Sequence, residues 1–256
     1  VSAGFRRIAI VNRGEAALRF VKAVREWNAE RGDDLVAIAL VTEPDQRALF
    51  AREAHETHDL GPALLPGPGA GRRSAYVDHA RIVAALRATR AEAVWTGWGF
   101  VAEDPAFAEL VEGMGLTLLG PRPEAMRQLG DKVAAKRLAE SLGVRVVPWS
   151  GGPVDSPGAA RAAADRLGFP LMVKASAGGG GRGMRRVEHP ESLEAALVSA
   201  AAEATRSFGS GALFLEAIVE PARHVEVQIA GDLHGTVWAI GTRDCTLQRR
   251  HQKVIE

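Results

Sequence analysis

From residue 8 to residue 120 the chain alternates short apolar runs with stretches whose apolar residues recur at helical spacing, and few architectures accept that alternation. Ile8-Ala9-Ile10-Val11 reads as a buried strand, and from Glu15 onward Ala17, Leu18, Val21 and Val24 share one helical face. Residues 35–41 give a second strand, followed by Pro44 and a helical stretch to about Ala54. A proline- and glycine-rich loop at 62–71 precedes a helix predicted from about Tyr76 to Thr89, with Asp78 in its first turn. Residues 93–96 form a third strand, Pro105 opens another helix, and residues 116–119 form a fourth strand. Strand and helix repeated in this way predict an α/β unit with a doubly wound parallel sheet over residues 1–120.

Gly120-Pro121-Arg122-Pro123 then breaks the pattern, and two helical segments (123–129 and 132–142) predict a helical linker over residues 121–146. Beyond it the grammar becomes α+β with antiparallel pairing. A helix at 157–167 leads to a strand at 170–174, a glycine loop, a short strand at 184–187 and a helix at 191–208. Strand-like stretches at 213–216, 224–230 and 235–242 follow, and Gly231-Asp232 has the composition of a tight hairpin turn.

The bulk properties exclude several function classes. With 46% hydrophobic and 25% charged residues and a net charge of +1, the chain reads as globular, with no electrostatic case for nucleic acid or a membrane surface. No apolar run is long enough to span a bilayer. No secretory leader opens the chain, and the single Cys245 leaves no internal disulfide, which points to a reducing, cytoplasmic setting. The chain starts without methionine and stops in mid-pattern, as a fragment would. Of the 32 basic residues only Lys22, Lys132, Lys136, Lys174 and Lys253 are lysines, so a lysine inside a motif draws notice.

The strongest local signal runs from Lys174 through Ala177, then Gly178, Gly179, Gly180, Gly181, Arg182, Gly183 and Met184. Glycines let a backbone approach phosphate closely and turn amides toward it, and Lys174 and Arg182 bracket the loop with positive charge. No Gly-Lys-Ser/Thr follows, so this is no P-loop, and it joins two strands rather than a strand and a helix. A hairpin closing over nucleotide phosphates fits; a flexible glycine-rich surface loop is the alternative. In Gly130-Asp131-Lys132 the aspartate is equally a helix cap and the lysine a solvated one. The run from Arg243 to Lys253 interleaves Cys245, Gln248, His251 and Lys253, as an anion pocket or as a solvated basic edge. No zinc-ligand spacing and no nucleophile elbow occurs.

These segments occur together and in order, and in that combination the chain resembles the biotin carboxylase component of biotin-dependent carboxylases, within the ATP-grasp superfamily. The resemblance is carried by Ile10-Val11-Asn12-Arg13-Gly14-Glu15, Gly130-Asp131-Lys132, Lys174 through Met184, Pro221-Ala222-Arg223-His224-Val225-Glu226-Val227-Gln228, and Arg243-Asp244-Cys245 through Glu256. It implies a pre-ATP-grasp sheet over 1–120, an ATP-grasp lid over 147–215 and the start of the ATP-grasp C-terminal subdomain over 216–256. It further implies that Lys132 and Lys174 hold ATP phosphates and that residues 178–183 form the lid. Met184, Glu216, Ile218, Val219, His224, Gln248 and His251 would complete the ATP site. Lys253 would stand near bicarbonate and the transferred phosphoryl group with Cys245 as its partner, and Trp98 near biotin.

The implied activity is that of a ligase: ATP-dependent carboxylation of biotin on a carrier domain, from bicarbonate through carboxyphosphate, as the first half-reaction of an acetyl- or propionyl-CoA type carboxylase. The implied partners are a biotin carboxyl carrier domain, a carboxyltransferase and a second copy of the chain. The resemblance places the Mg²⁺ ligands beyond residue 256, so no metal ligand is expected within these residues and the piece alone is expected to be inactive. Glu216-Ala217-Ile218 stands where many relatives have Glu-Lys-Tyr. Gly97-Trp98-Gly99 and Pro148-Trp149-Ser150-Gly151 look more like fused multidomain acyl-CoA carboxylases. The rival readings are a carbamoyl-phosphate synthetase-like ligase and a non-catalytic nucleotide-binding module. A plain dinucleotide-binding domain is disfavoured, because the first βα turn lacks Gly-x-Gly-x-x-Gly.

Overall fold

A computed structural model describes residues 4–67, 71–177, 181–249 and 252–255. The chain divides into two compact units, residues 1–128 and 129–256.

The first unit contains β1 (Arg7–Ile10), α1 (Gly14–Arg31), β2 (Val36–Val41), α2 (Leu49–Glu53), β3 (Glu56–Asp59), the hairpin β4 (Leu64–Pro66) and β5 (Arg72–Ser74), α3 (His79–Ala88), β6 (Ala93–Trp95), α4 (Pro105–Gly113), β7 (Thr117–Leu119) and most of α5 (Pro123–Gly130). Five parallel strands lie in the order β3-β2-β1-β6-β7, with Ile8 opposite Ala37 and Ile10 opposite Trp95. Successive strand residues point to opposite faces. Ile8 and Ile10 accordingly pack with Ala17, Val21 and Val24 of α1, whereas Ala9 and Val11 pack with Ile82 and Leu86 of α3 and Phe107 of α4. Both faces of the sheet are covered, as the alternating pattern predicted for a doubly wound α/β unit.

Three details differ from the sequence expectation. β3 and the β4–β5 hairpin are additions to it; β3 is polar (Glu-Thr-His-Asp) and lies at the sheet edge, where apolar periodicity is not required. The helix expected from Tyr76 begins only at His79. Residues 75–77 form a 3₁₀ turn and Asp78 caps the helix, its Oδ1 accepting the Arg81 amide at 3.0 Å. Only a short helix, α2, occupies the stretch after Pro44.

The ends of β1 and β6, neighbours at the point where the strand order reverses, carry a polar clamp. Asn12 is buried, and its Nδ2 donates to the carbonyls of Thr96 (2.7 Å) and Trp98 (2.9 Å). Arg13 is not free for a ligand, because its Nε donates to Asp45 Oδ2 at 2.9 Å. Burial pushes the Asp45 carboxyl up, but hydrogen bonds from Arg13 and Thr42 outweigh burial and leave it below the ordinary range. Gly97 has φ +61°, and a Cβ there would lie 2.6 Å from the Trp95 ring, itself stacked on Phe20 at 4.4 Å. Gly97→Ala therefore combines left-handed strain with a clash against a pinned ring, and should cost about 2–3 kcal/mol in urea unfolding. An unchanged midpoint would contradict this packing.

The second unit contains α6 (Lys132–Ser141), α7 (Pro157–Leu167), β8 (Leu171–Ala175), β9 (Met184–Val187), α8 (Leu193–Phe208), β10 (Leu213–Ala217), the hairpin β11 (Val225–Gly231) and β12 (Val237–Asp244), and the short pair β13 (Gln248–Arg249) and β14 (Gln252–Lys253). A three-stranded antiparallel sheet runs β10-β8-β9. Leu171, Val173, Ala175, Leu213 and Leu215 face the apolar core shared with α7 and α8. The turn expected at Gly231-Asp232 is a longer loop: the Asp232 amide donates to Thr236 O at 3.0 Å, and Asp232 Oδ1 accepts the amides of His234 and Thr236. No helix among the described residues is long and apolar enough to cross a membrane.

Candidate functional site

The same strand parity that buries Leu171, Val173 and Ala175 turns Met172 and Lys174 to the other side of the sheet, together with Phe214 and Glu216 of β10. Register places Lys174 opposite Phe214 on one side and Met184 of β9 on the other, while Glu216 lies opposite Met172. The result is a cleft of about 250 Å³ whose lining includes Met172, Lys174, Met184, Glu216, Ile218 and Val219. Its walls are thus largely apolar, with one lysine and one carboxylate, as suits a flat heteroaromatic ring carrying an anionic tail.

Glu216 is the electrostatic centre of this cleft. Its Oε1 lies 2.5 Å from Lys136 Nζ, and its Oε2 pairs with Lys174 Nζ. Burial alone would raise the carboxyl; hydrogen bonds from Lys136 and then Lys174 outweigh it and hold the group below the ordinary range. Residues 148–150 extend the sheet beside β10, with the Ala217 amide donating to Pro148 O (2.8 Å) and the Ser150 amide to Leu215 O (2.9 Å).

The start of α6 is tied to the end of β8. Asp131 caps the helix through Oδ1, which accepts the Ala134 amide at 2.7 Å, while Oδ2 accepts from Ser176 Oγ at 2.5 Å. The Lys132 amide donates to Ser176 O at 3.1 Å, so Lys132 begins its helix beside the strand that carries Lys174. Gly183 (φ +69°) closes the β8–β9 hairpin; its carbonyl accepts the Ala175 amide at 2.9 Å, and a Cβ on it would lie 2.8 Å from Ala175 Cβ. Gly183→Ala should destabilise this unit by about 2 kcal/mol, read from urea denaturation; wild-type stability would contradict the close approach. Arg182 lies over the Phe208 ring at 5.5 Å, away from the cleft lining.

A second polar cluster gathers on β11, β12 and the residues after them. Glu226 faces Arg243 across the hairpin and pairs with it, and Glu226 Oε2 accepts from Lys253 Nζ at 2.9 Å. His224 Nδ1 meets Gln248 Nε2 at 3.0 Å, and Gln248 also donates to Cys245 O at 3.0 Å. The Cys245 thiol is buried, and its backbone amide donates to His224 O at 2.7 Å. The Lys253 hydrogen bond and then the Arg243 one hold the Glu226 carboxyl at about 2. A carboxyl depressed by folding adds stability that is present above its ordinary unfolded value and lost as pH falls toward the folded one. The wild-type melting temperature should therefore fall between about pH 4.5 and pH 2 more steeply than that of Glu226→Gln, and parallel curves would contradict the pairing.

The structure thus brings Lys174, Met184, Glu216, Ile218 and Val219 into one cleft, and His224, Cys245, Gln248 and Lys253 into or beside one cluster. Trp98 belongs to the other unit, exposed on the loop that Asn12 clamps. Gly178, Gly179, Gly180 and His251 lie outside the described residues, and Gly181 (φ +75°) leads into β9. Sequence reasoning did not select Lys136 or Glu226 for the site. The scarcity of lysine and the four-residue spacing from Lys132 were the available signals for the first, and the Glu-x-Gln strand facing a basic run for the second. Among the described residues no group of three or more His, Cys, Asp or Glu side chains is placed to hold a metal ion.

Residues 4–126 match the family described as "Biotin carboxylase, N-terminal domain", and residues 131–256 the one described as "Carbamoyl-phosphate synthase L chain, ATP binding domain". The chain is 40% identical over 251 residues to biotin carboxylase of Haemophilus influenzae, covering 98% of this chain and 53% of that protein. It is 40% identical over 250 residues to the mitochondrial methylcrotonoyl-CoA carboxylase subunit alpha of Oryza sativa subsp. japonica, with coverages of 98% and 32%. It is 38% identical over 252 residues to pyruvate carboxylase 1 of Caenorhabditis elegans, with coverages of 98% and 20%. The crystal structure of a biotin carboxylase–β,γ-ATP complex from Campylobacter jejuni superposes with a TM-score of 0.88 at 37% identity, over 97% of this chain and 53% of that one. The chain therefore spans about half the length of the biotin carboxylases it matches and less of the longer carboxylases.

Proposed function

The chain belongs to the biotin carboxylase family, and from that premise we propose that its parent polypeptide uses ATP and bicarbonate to carboxylate biotin. The observation that carries this reading is the cleft in which Lys174, Met184, Glu216, Ile218 and Val219 converge. Its apolar walls suit adenine. Lys174, with Lys132 at the head of α6 and the glycine-rich stretch 178–183, supplies positive charge and backbone amides for phosphates. His224, Gln248 and His251 are assigned as further nucleotide contacts.

The chemistry needs such equipment. Bicarbonate is a poor electrophile; transfer of the γ-phosphoryl group to one of its oxygens yields carboxyphosphate and ADP. Cleavage of the carboxyphosphate C–O bond then gives CO₂ and phosphate, and the ureido nitrogen of biotin attacks the CO₂ carbon as its N–H proton passes to the released phosphate. Phosphoryl transfer depends chiefly on positioning and on neutralising charge. Lys253, oriented by Glu226, is assigned to neutralise charge at the bicarbonate and the transferred group. Cys245, buried beside this cluster, is assigned with Lys253 as its partner in the catalytic pair. A hairpin that closes with glycine freedom keeps water from the reactive intermediate. Trp98, exposed on its clamped loop, is assigned to the biotin side.

Within the family we place the acceptor in the acyl-CoA class, of acetyl- or propionyl-CoA type, on a fused polypeptide with carrier and carboxyltransferase parts that acts as a homodimer. The supports are Gly97-Trp98-Gly99 and Pro148-Trp149-Ser150-Gly151. A second reading is favoured by the family description matched at residues 131–256, that of an ATP-binding domain in carbamoyl-phosphate synthase. Phosphate release from MgATP by the full-length polypeptide in bicarbonate separates the two. Stimulation by free biotin supports the carboxylase; stimulation by ammonium, with biotin inert, overturns it in favour of the second reading.

A further inference from the structure

One further charged side chain adjoins this cleft and touches its lining through Glu216 and the Val147 carbonyl. Lys136, one turn after Lys132 on α6, points inward and retains only 16% of its side-chain exposure. Its ammonium is held by three features at once: Glu216 Oε1 at 2.5 Å, the Val147 carbonyl at 3.5 Å and the face of the Trp149 ring at 5.7 Å. That ring is itself fixed, with Nε1 donating to Glu140 Oε1 at 2.7 Å and its edge against Phe214. Lys136 therefore stands behind the cleft lining, fixed against Glu216 and Val147, rather than being a surface lysine that happens to touch a carboxylate.

The charge count gives it a purpose. One carboxylate stands between two ammonium groups, so the trio carries one surplus positive charge in a site only 10–26% exposed at its members' side chains. A structural ion pair needs one lysine for one carboxylate, and a second ammonium adds desolvation cost without adding a partner. The surplus becomes useful when Lys174 has to leave Glu216 for an anionic ligand. With Lys136 in place, the carboxylate stays paired after Lys174 departs. Without it, each Lys174–phosphate contact would expose a bare carboxylate beside a polyphosphate, and like charges at short range in a partly desolvated site repel strongly.

We propose that Lys136 is a positioning residue for the nucleotide: by keeping Glu216 neutralised it frees the Lys174 ammonium to bind phosphate. The role concerns the charged tail of the ligand and not its ring. This inference rests on the reading of the cleft as the nucleotide site and adds to it a specific charge relay.

The test is equilibrium binding of ATP and of adenosine to the full-length polypeptide, comparing wild type, Lys136→Met, Lys136→Arg and the double variant Lys136→Met/Glu216→Gln. Lys136→Met should weaken ATP about tenfold and leave adenosine within about twofold. Lys136→Arg should keep most of the ATP affinity, because the charge is retained. The double variant should regain most of what Lys136→Met loses, since a neutral amide in place of the Glu216 carboxylate no longer has to be balanced. Equal weakening of ATP and adenosine, or no weakening of either, would show a packing role only and overturn the inference. So would a double variant that binds ATP no better than Lys136→Met. A wild-type protein that binds neither ligand would overturn the nucleotide reading itself, and this inference with it.

Discussion

Replacing Lys253 by alanine is expected to lower biotin-stimulated phosphate release by about 10²–10³-fold, chiefly through kcat and less through the KM for ATP. The side chain is placed by structure on both ends. Its backbone pairs opposite Gln248 in the β13–β14 ladder, and its ammonium rests on Glu226 Oε2 at 2.9 Å. An ammonium held in position before the reaction stabilises negative charge that builds up on a transferred phosphoryl group without reorganising in the transition state. Lys253→Arg should recover little of the loss, because a planar fork does not reproduce a point charge. Glu226→Gln should lie between the two, since it keeps the ammonium but loosens its anchor. Release by Lys253→Ala at the wild-type rate would remove Lys253 from the proposed mechanism.

The second large effect concerns stability. Glu216→Ala should cost about 2–3 kcal/mol in urea unfolding, near the lower end for a broken buried pair because Lys136 and Lys174 keep some exposure. Removal of the carboxylate leaves two ammonium groups in one partly desolvated cleft. Glu216→Gln keeps hydrogen-bond acceptance at one oxygen and should cost less. The sign with pH follows from the depressed Glu216 carboxyl. Its contribution is present above the ordinary carboxyl range and disappears as pH falls below it, so the gap between wild type and Glu216→Ala should narrow in acid. A gap that widens there would contradict the pairing.

What the sequence revealed follows from how each element is buried. β1, β2 and β6 were legible because a parallel strand covered on both faces must be an apolar run, and these strands are buried along most of their length. β3 reads Glu-Thr-His-Asp and joins the sheet only through its edge pairing with β2, so no periodicity announced it. The β4–β5 hairpin hid inside a proline- and glycine-rich stretch that composition marks as loop. In the second unit Lys174 stood out as a lysine beside the glycine-rich loop, but the face of the sheet it takes is set by the fold. That Glu216 lies diagonally across from it depends on register, which a sequence does not display. The role of Lys136 was hidden for a related reason. A lysine in a helix is solvated by default, and only the position of Trp149, Val147 and Glu216 around it makes it an interior charge. Glu226 likewise acquired its two basic partners only when β11 met β12 and the residues after them.

The Lys174–Glu216 cleft and the Glu226–Lys253 cluster are proposed to serve the carboxylation of biotin. That assignment is tested most directly by following label from radiolabelled bicarbonate into biotin in the presence of the full-length polypeptide and MgATP. ATP-dependent label should appear on biotin, be lost in Lys253→Ala and be strongly reduced in Lys174→Met. ATP consumption in bicarbonate with no label reaching biotin would contradict the assignment.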